Sequence, residues 1–394
     1  MTLPSSTDVL IVGAGPTGLA LAIALQKAGV DYLLIDKLAE GANTSRAAVI
    51  HAHTLEALDE LGVSERLVQS GLKLTTFAIR DRDRVAMRLR FDALPTPHRY
   101  LLMLPQDLTE KILAERLAEL GGAAHRNVTA LAVTQSEEFA TASVATADGE
   151  RRIKARYIVG ADGMRSVVRA AAGVDFAGDD DEASFILADV RMDWPLGRDE
   201  VMLFFSQAGL MVVAPLPDGR FRIVATLDPA PEQATIADIQ AIVDARGPTK
   251  TRAVVREVVW SSRFRLHHRL ANAYRDRRLL IMGDAAHVHS PAGGQGMNTG
   301  LVDATVLGRL LADVALGRRP DAALDQYQAL RRPAAAQVLE LAGRLTWIAT
   351  MRNPLKRWLR NLILSIIDKI APMKRAFAMN LSGLSRRDQA TIAN

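Results

Sequence analysis

Three glycine-rich segments hold the residues of this chain that are best suited to cofactor chemistry. The first, Gly13-Ala14-Gly15-Pro16-Thr17-Gly18, lies between a short apolar run and a segment rich in Ala and Leu. In a strand–turn–helix unit, this spacing permits a tight turn, close approach of a pyrophosphate to the backbone, and close packing of the helix. Asp36 follows the next apolar run, where a carboxylate can accept hydrogen bonds from a ribose. The pattern predicts a dinucleotide site, with a purely structural turn as the alternative, and it does not separate NAD from FAD.

The second segment begins with Gly283-Asp284-Ala285-Ala286-His287, after the apolar run 279–282. An aspartate at the carboxyl end of a parallel strand can accept hydrogen bonds from the ribityl hydroxyls of a flavin. The segment continues as Pro291-Ala292-Gly293-Gly294-Gln295-Gly296-Met297-Asn298 and opens a predicted helix near Met297. A helix N-terminus aimed at the ring would stabilise the negative charge of a reduced flavin. Because a simple nicotinamide enzyme has no need for this loop, the segment favours FAD.

The third segment, Gly160-Ala161-Asp162-Gly163-Met164-Arg165-Ser166, follows the apolar run 157–159. It places an acid and a base at the end of another predicted strand. Ser166 is suited to cap a helix over 167–172. A structural turn is the alternative interpretation of this motif.

The elements that must position these segments follow from hydrophobic periodicity. Short apolar runs predict buried strands at 8–12, 31–35 and 279–282, and an Ala- and Leu-rich run predicts a helix over 17–28. Turn-like breaks between β-rich runs predict a β-meander over 128–159, and several more strands are expected within 185–264. We therefore expect an α/β protein with a Rossmann-like FAD-binding domain, an inserted β-meander, a mixed-sheet substrate domain and C-terminal helices.

The expected FAD-binding domain is discontinuous and comprises residues 1–75, 100–175 and 272–345. A substrate-binding β-sheet domain is expected at 76–99 and 176–271. The remaining residues, 346–394, are expected to form a basic, amphipathic, helical C-terminal segment.

The composition narrows the classes of function. The 394 residues include no cysteine, which excludes disulfides, thiolate metal sites and cysteine nucleophiles. The N-terminus lacks a signal-peptide pattern, and no run of about 20 apolar residues predicts a transmembrane helix, so we expect a cytoplasmic protein. The net charge is +5, but residues 352–394 hold nine Lys or Arg and two Asp. Because this basicity belongs to a tail, it does not indicate a nucleic-acid partner.

The three motifs, in this order and with this spacing, resemble those of the class A flavoprotein monooxygenases, the family of p-hydroxybenzoate hydroxylase and the phenol hydroxylases. The pattern is most similar to the branch of phenol, polyketide and tetracycline-modifying hydroxylases, over about residues 7–345. The resemblance implies that FAD is bound without a covalent link and that NAD(P)H, as NADH or NADPH, is a transient co-substrate. It implies that reduced flavin and O2 give a C4a-hydroperoxide that hydroxylates an aromatic, phenolic or polyketide-like small molecule.

The resemblance also implies roles for individual residues. The expected cofactor-binding residues are Gly13, Gly15, Pro16, Thr17, Gly18, Asp36, Lys37, Arg46, Gln106, Asp162, Asp284, Pro291, Gly296, Met297 and Asn298. The flavin ring is expected beside Pro291, Gly293, Gly294, Gln295, Gly296, Met297 and Asn298. No side chain is assigned as a catalytic base. No metal is expected at His267-His268 or at the pair His287 and His289, although His289 is a candidate for the wall of the flavin pocket. His53 stands where many relatives carry arginine and takes no role.

The sequence indicates the substrate-binding residues less specifically than the cofactor-binding residues. The apolar side chains from Phe204 to Pro215, together with Arg220, are candidates for the substrate chamber, and plain core packing is the alternative. Four other functions on the same scaffold stay open: a quinone-biosynthesis-type hydroxylase, a reductase of isoprenoid double bonds, a halogenase and a non-catalytic flavoprotein.

The C-terminal segment predicts a basic amphipathic helix. Apolar residues recur at i, i+3 and i+4 spacing from Leu355 to Ile370, with Asn353-Pro354 as a start and Pro372 as a stop. One interpretation packs the apolar face on the protein over the substrate chamber. The alternative docks residues 353–371 on an anionic membrane surface, which would suit a lipophilic, quinone-like substrate.

Overall fold

Two large sheets and ten helices make up the part of the chain that the structure describes, which is 3–41, 47–227, 229–290, 293–349, 351 and 353–393. The structure is a computed structural model. The helices are α1 (Pro16–Ala28), α2 (Ala52–Asp59), α3 (Ser64–Ser70), α4 (Gln106–Glu119), α5 (Val167–Ala171), α6 (Ile236–Arg246), α7 (Gly296–Ala315), α8 (Asp325–Ala349), α9 (Pro354–Ile367) and α10 (Ala371–Leu381). This arrangement confirms the expected α/β class with mixed sheets and C-terminal helices.

The first sheet has eight strands and contains the parallel core. Its strands are β1 (Ser6–Val12), β2 (Tyr32–Ile35), β8 (Ala124–His125), β9 (Thr129–Gln135), β10 (Ala140–Thr146), β11 (Gly149–Gly160), β17 (Arg275–Asp276) and β18 (Leu279–Ile281). Strand β1 pairs in parallel with β11 on one side and β2 on the other, and β11 pairs in parallel with β18. Strands β9 and β10 continue antiparallel from β11, which confirms the predicted meander.

The second sheet also has eight strands, and its order runs from β19 to β6. Its members are β5 (Thr76–Asp81), β6 (Arg84–Arg90), β12 (Phe176–Asp193), β13 (Glu200–Ser206), β14 (Gly209–Pro215), β15 (Phe221–Thr226), β16 (Val254–Ala271) and β19 (His287–Val288). A small third sheet joins β3 (Val49–Ile50), β4 (Leu72–Leu74) and β7 (Leu101–Met103). The sheets divide the sequence much as the expected domains do, but the domain boundaries stay a prediction.

Helix α1 is the central helix of the first layer. Nearly all its apolar side chains are buried, from Leu19 to Leu25. A helix that is apolar on all faces must be covered on all faces, and α1 packs between α4 and α7. This fixes the N-termini of α1 and α7 near the same edge of the first sheet.

The C-terminal segment forms α9, α10 and a 3₁₀ turn over Leu384–Ala390. As expected, the Asn353 side chain accepts hydrogen bonds from the backbone of Leu355 and Lys356, and Pro354 is the first helical residue. The interpretation that the apolar stripe of this helix packs on the protein is wrong for most of the stripe, because its residues from Leu355 to Ile366 are exposed. Ile367 and the neighbouring Leu364 do pack on the cluster that contains Phe205. The inward face also presents Arg360, whose Nη1 donates to the carbonyl of Ile348 (3.1 Å) and whose guanidinium lies over the ring of Phe205.

Candidate cofactor and substrate site

The carboxyl ends of four parallel strands meet at one edge of the first sheet. Val12 is in register with Gly160 on one side and with Ile35 on the other, and Gly160 is in register with Ile281. The residues that follow these strand ends open the three glycine-rich motifs and include Asp36. In open α/β sheets this edge is where ligands bind. The structure therefore brings the predicted motifs together.

The first glycine turn is tightly packed at Gly13 and Gly18 and borders open space at Gly15. A Cβ at Gly13 would lie 2.3 Å from the carbonyl oxygen of Ala161, and one at Gly18 would lie 1.9 Å from the carbonyl oxygen of Gly13. No described atom lies within 4 Å of the Cβ position of Gly15. Gly13 and Gly18 are thus needed for packing, whereas Gly15 borders free space that a pyrophosphate can fill.

Two helix N-termini without side-chain caps lie beside this turn. Helix α1 begins at Pro16 after Gly15, and α7 begins at Gly296 after Gln295, and neither preceding residue makes a capping hydrogen bond through its side chain. Oγ1 of Thr17 lies 2.6 Å from the Cβ position of Gly300, which places the first turn of α1 against α7. Free N–H groups and the positive ends of two helix dipoles therefore point to one region, which suits an anionic ligand.

The carboxylates at this sheet edge differ in the hydrogen bonds that they accept. Oδ2 of Asp36 accepts from the backbone N–H of Ala14 (2.6 Å) and Oδ1 from that of Leu38 (2.8 Å), so Asp36 braces the turn and keeps lone pairs for a ribose. Lys37 is exposed. As predicted, Ser166 caps α5, and its Oγ accepts from the backbone N–H of Arg169 (3.0 Å). Asp162 accepts from the backbone N–H of Val167 (2.7 Å), and burial raises the pKa of its carboxyl group.

Asp284 is exposed although its neighbours Gly283 and Ala285 are buried. An exposed carboxylate in an otherwise buried turn at this sheet edge is accessible from the side on which a ligand would bind. Arg169, which the sequence did not single out, joins this turn to the Asp162 motif: its Nη1 donates to the carbonyl of Ala285 (2.9 Å) and its Nη2 to that of Met164 (2.7 Å).

Gln106 begins α4 and binds the chain on both sides. Its Oε1 accepts from the backbone of Ala47 (3.2 Å), and its Nε2 donates to Oε1 of Glu110 (2.8 Å). Burial raises the pKa of Glu110. Gln106 thus holds the end of the segment that contains the predicted cofactor residue Arg46, which itself lies outside the described residues, as does Pro291.

The loop before α7 is fixed by hydrogen bonds from distant parts of the chain. Oδ1 of Asn298 accepts from the backbone of His51 (2.8 Å), and its Nδ2 donates to the carbonyl of Gly294 (2.7 Å). Nε2 of His51 is hydrogen-bonded to the carbonyl of Gly293 (2.8 Å). Gly294 has a φ of +64°, and a Cβ there would lie 2.1 Å from Cγ1 of Val49. The loop shape therefore depends on glycine and on the segment around His51.

A buried ionic group behind the Asp284 turn was missed by the sequence analysis. Asp303, on α7, is fully buried and accepts from Nε of Arg331 (2.7 Å) and from the backbone of Gly283 (3.3 Å), and it lies 2.6 Å from Nε2 of His287. The nearby charges of His287 and Arg331 hold the pKa of Asp303 below its usual value despite burial. No local sequence signal connects Asp303 to Arg331, because the contact depends on how α7 and α8 pack.

His289 lies next to the start of α7. Its Nδ1 is hydrogen-bonded to the carbonyl of Ser290 (2.7 Å), while its Nε2 is buried and has no hydrogen-bond partner among the described residues. Burial lowers the pKa of His289 to about 4, so the ring is neutral at pH 7. The Cβ position of Gly296 is 3.9 Å from this ring. Within the described residues no cluster of three or more His, Cys, Asp or Glu is arranged to hold a metal.

The apolar residues predicted for the substrate chamber divide between the two faces of the second sheet. Val201, Leu203 and Phe205 belong to a core cluster that also contains Leu381, whose side chain lies 3.2 Å from the Cβ position of Gly293. Met202 and Phe204 pack in another cluster, against α6. The expectation for 204–215 is therefore wrong for Phe204, Met211 and Val213, which face away from the loop before α7. Strand alternation sends every second side chain to the opposite face.

Arg220 and Arg222 share one acidic partner, but only Arg222 is buried with it. Nε and Nη2 of Arg222 donate to the two oxygens of Asp189 (2.7 and 2.8 Å), and its Nη1 donates to the carbonyl of Ala47 (2.8 Å). Nη1 of Arg220 is 3.9 Å from Asp189. Arg222 thus ties the second sheet to the segment that Gln106 holds, a link that sequence reasoning missed.

The donor set as a whole fits an FAD. Contacts for phosphates, hydroxyls and a polar ring are supplied by the open space at Gly15, the two uncapped helix N-termini, the exposed Asp284 and the unpartnered Nε2 of His289. The phosphates of a dinucleotide bind to backbone N–H groups at helix N-termini, and its ribose hydroxyls bind to carboxylates.

Comparisons with known proteins point in the same direction. A family model described as an FAD binding domain matches residues 6–342. The chain is 37% identical over 381 residues to 6-methylpretetramide 4-monooxygenase of Streptomyces rimosus, covering 95% of this chain and 68% of that protein. It is similar in structure to an anhydrotetracycline hydroxylase of Streptomyces rimosus, with a TM-score of 0.82 and 34% identity over 96% of this chain and 76% of the other.

A third similarity concerns the fold alone. The p-nitrophenol 4-monooxygenase of Pseudomonas putida DLL-E4 superposes with a TM-score of 0.87 at 23% identity, covering 97% of this chain and 99% of that one. The chain therefore spans about two thirds of the 6-methylpretetramide relative and nearly all of this structural neighbour.

Proposed function

This chain belongs to the class A flavoprotein monooxygenases, which are FAD-dependent enzymes, and on that premise we propose that it hydroxylates an aromatic, phenolic or polyketide-like small molecule with NAD(P)H and O2. The observation that carries the proposal is the convergence of three glycine-rich motifs at one sheet edge, where Gly293 of the second motif lies against Leu381 of an apolar cluster. Two relatives are named as a 6-methylpretetramide 4-monooxygenase and an anhydrotetracycline hydroxylase, which supports a polyketide-like substrate.

The proposed cofactor site assigns a part of FAD to each group of residues. The turn at Gly15 and the N-terminus of α1 would hold the pyrophosphate, Asp36 the adenosine ribose and Asp284 the ribityl chain. The N-terminus of α7, with Gly293 to Asn298, would lie at the ring. When bound, FAD accepts hydride from NAD(P)H and supplies the chemistry that activates O2.

The protein's own contribution is to hold the ring, exclude water and fix the position of the substrate. The apolar cluster around Phe205 and Leu203 provides the dry surface that such a reaction needs, because water in the site diverts reducing equivalents to H2O2. Leu381 belongs to this cluster and Val49 packs against it, and both lie next to the loop before α7. We place the substrate chamber between this loop and the apolar face of β13 and β14.

A substrate screen tests the proposal. Purified protein is incubated with FAD, NADH or NADPH, and a panel of phenols, naphthols, anthraquinones and tetracyclic polyketides, while NAD(P)H oxidation and product mass are followed. We expect substrate-stimulated NAD(P)H oxidation and a product heavier by one oxygen atom. A product that gains two hydrogens would instead indicate the double-bond reductase, and flavin binding without any NAD(P)H oxidation would indicate a non-catalytic flavoprotein.

Residues 353–371 support a second proposal, a peripheral contact with an anionic membrane surface. Nine of the fifteen large hydrophobic side chains that are exposed in the described chain belong to α8, α9, α10 and their connections. We call this group the tail surface; it comprises Trp347, Leu355, Trp358, Leu359, Leu362, Ile363, Ile366, Ile370 and Met373. Leu355 is 73% exposed and Trp358 is 63% exposed.

Basic residues accompany the tail surface. Lys356 and Lys369 are exposed on or next to α9, and Arg375 is exposed on α10. An apolar stripe beside lysine and arginine is the pattern of helices that lie in the plane of an anionic bilayer. Charge complementarity therefore favours a lipid surface over a second copy of this basic segment. No helix in the described part of the chain is long and apolar enough to span a bilayer. We propose a cytoplasmic enzyme that touches the inner face of a membrane.

Vesicle flotation tests the membrane contact. The full chain should float with vesicles that contain anionic lipid at low salt, and Trp358→Ser with Lys369→Glu should reduce flotation severalfold. Leu131→Ser is the matched control, because Leu131 is similarly exposed on the β-meander. Equal recovery of all proteins with neutral and anionic vesicles would contradict the proposal. Concentration-dependent dimerisation that Trp358→Ser abolishes would assign the tail surface to a second copy.

A further inference from the structure

A buried guanidinium from the C-terminal 3₁₀ turn lies behind the N-terminus of α7. Arg386 is 5% exposed. Its Nη2 donates to Oε1 of Gln295 (3.1 Å), the residue that precedes α7, and its Nη1 donates to Oδ1 of Asn380 (2.8 Å). All its hydrogen bonds go to amide and carbonyl oxygens. Within the described chain, Arg386 forms no ion pair with a carboxylate.

The surrounding groups do not neutralise this charge. The buried acid on α7, Asp303, is already paired with Arg331 and His287. His51, which contacts the same loop, is neutral at pH 7, because burial, with a smaller contribution from the charge of Arg386, lowers its pKa to about 4. Burial also lowers the pKa of Arg386, to about 10, which leaves it charged at pH 7. The interior behind Gln295 thus holds one uncompensated positive charge.

An unpaired buried charge is costly unless an opposite charge comes near it in the working protein. The N-terminus of α7 is the proposed position of the flavin ring, so the inference rests on the proposed function. Hydride transfer from NAD(P)H to FAD moves two electrons and one proton, releases NAD(P)⁺ and leaves FAD with one additional negative charge. The positive end of the α7 dipole and the guanidinium of Arg386 would both stabilise that negative charge.

We propose that Arg386 is a positioning residue that acts through Gln295 and the start of α7 to favour the reduced, anionic form of FAD over the oxidised form. Because Arg386 favours the reduced form, the midpoint potential of the bound flavin is higher than it would be without this charge. A merely structural role, in which Arg386 fastens the C-terminal turn to Gln295, would change stability and leave the potential unchanged. The two roles can therefore be separated by measurement.

The test is the midpoint potential of FAD bound to the full chain, measured by equilibration with a reference dye. Arg386→Gln removes the charge and keeps a hydrogen-bonding side chain, and Arg386→Lys keeps the charge. Asn380→Asp keeps Arg386 and places a carboxylate at the 2.8 Å contact, which neutralises the charge with almost no change in shape. Arg387→Gln is the matched control, because Arg387 is the neighbouring residue, is more exposed and is paired with Glu56.

In Arg386→Gln and Asn380→Asp, we expect the preference for reduced over oxidised FAD to fall on the order of tenfold. For a two-electron couple this is a shift of about 30 mV to lower potential. Arg386→Lys and Arg387→Gln should stay close to the wild-type potential. If Arg386→Gln does not fold, Asn380→Asp decides: an unshifted potential in that variant overturns the inference. A wild-type chain that binds no FAD overturns the proposed function and this inference together, whereas bound FAD with equal potentials in all variants overturns the inference alone.

Discussion

At the scale of single residues, Asp284 offers the sharpest test of the cofactor site. It is an exposed carboxylate in a buried turn, with Gly283 and Ala285 buried on either side. A hydrogen bond to a charged carboxylate contributes about 1.5–3 kcal/mol. Asp284→Ala should therefore weaken FAD binding by roughly 10- to 150-fold in a fluorescence titration of the apoprotein. Asp148→Ala, at an exposed turn of the meander, is the control, and equal affinity of both variants and the wild type would refute the role.

The two buried histidines near α7 predict an acid-sensitive fold. Burial lowers the pKa of His51 and of His289 to about 4. Unfolded histidine takes up its proton at about pH 6.5. Between these values the unfolded chain binds more protons than the folded chain, so stability is fully present above pH 6.5 and is lost as the pH falls toward 4. At pH 5 the loss should be about 2 kcal/mol for each histidine.

Urea unfolding of the apoprotein at pH 7 and at pH 5 measures this loss. His51→Gln should reduce the difference between the two free energies of unfolding, because glutamine can still donate to the carbonyl of Gly293 and does not titrate. The double variant with His289→Gln should reduce the difference further. The same pH dependence in all three proteins would show that other groups cause the acid sensitivity.

At the scale of elements, the glycine turn before α1 separates packing from binding. Gly18 has no room for a Cβ, whereas no described atom lies within 4 Å of that position at Gly15, whose φ of −75° any residue can adopt. Gly15→Ala should keep the stability of the apoprotein within about 0.5 kcal/mol and weaken FAD binding about tenfold or more. Gly18→Ala should instead lower the unfolding midpoint before any cofactor is added. Loss of stability in Gly15→Ala would show that this turn is structural.

Helix α9 shows what an element's sequence can and cannot predict. The cap at Asn353 and the apolar stripe from Leu355 to Ile370 follow from local spacing, and the structure has both. The face that docks does not follow from spacing, because it depends on Arg360 reaching the carbonyl of Ile348 and the ring of Phe205. A buried arginine on the inward face of a helix whose apolar stripe is mostly exposed contradicts an interpretation based on hydrophobicity alone.

At the scale of the whole molecule, the parallel core and its motifs were predictable and the long-range ionic contacts were not. Strand ends and glycine turns are local signals, and the edge at which they meet follows from parallel pairing. The contacts of Asp303 with Arg331 and of Gln295 with Arg386 join residues 28 and 91 positions apart. Such contacts depend on how α7, α8 and the C-terminal turn pack, and no periodicity in the sequence encodes that. The sequence likewise does not show which face of β13 borders the proposed substrate chamber, because that depends on α6 packing against the other face.

The origin of the oxygen atom in the product decides whether the chain acts as a monooxygenase. The protein is incubated with FAD, NAD(P)H and a substrate from the screen under ¹⁸O2 in ordinary water, and the product is analysed by mass spectrometry. We expect one ¹⁸O atom in each product molecule, with one NAD(P)H consumed for each. Product oxygen derived from water, or turnover that proceeds equally without O2, would contradict it.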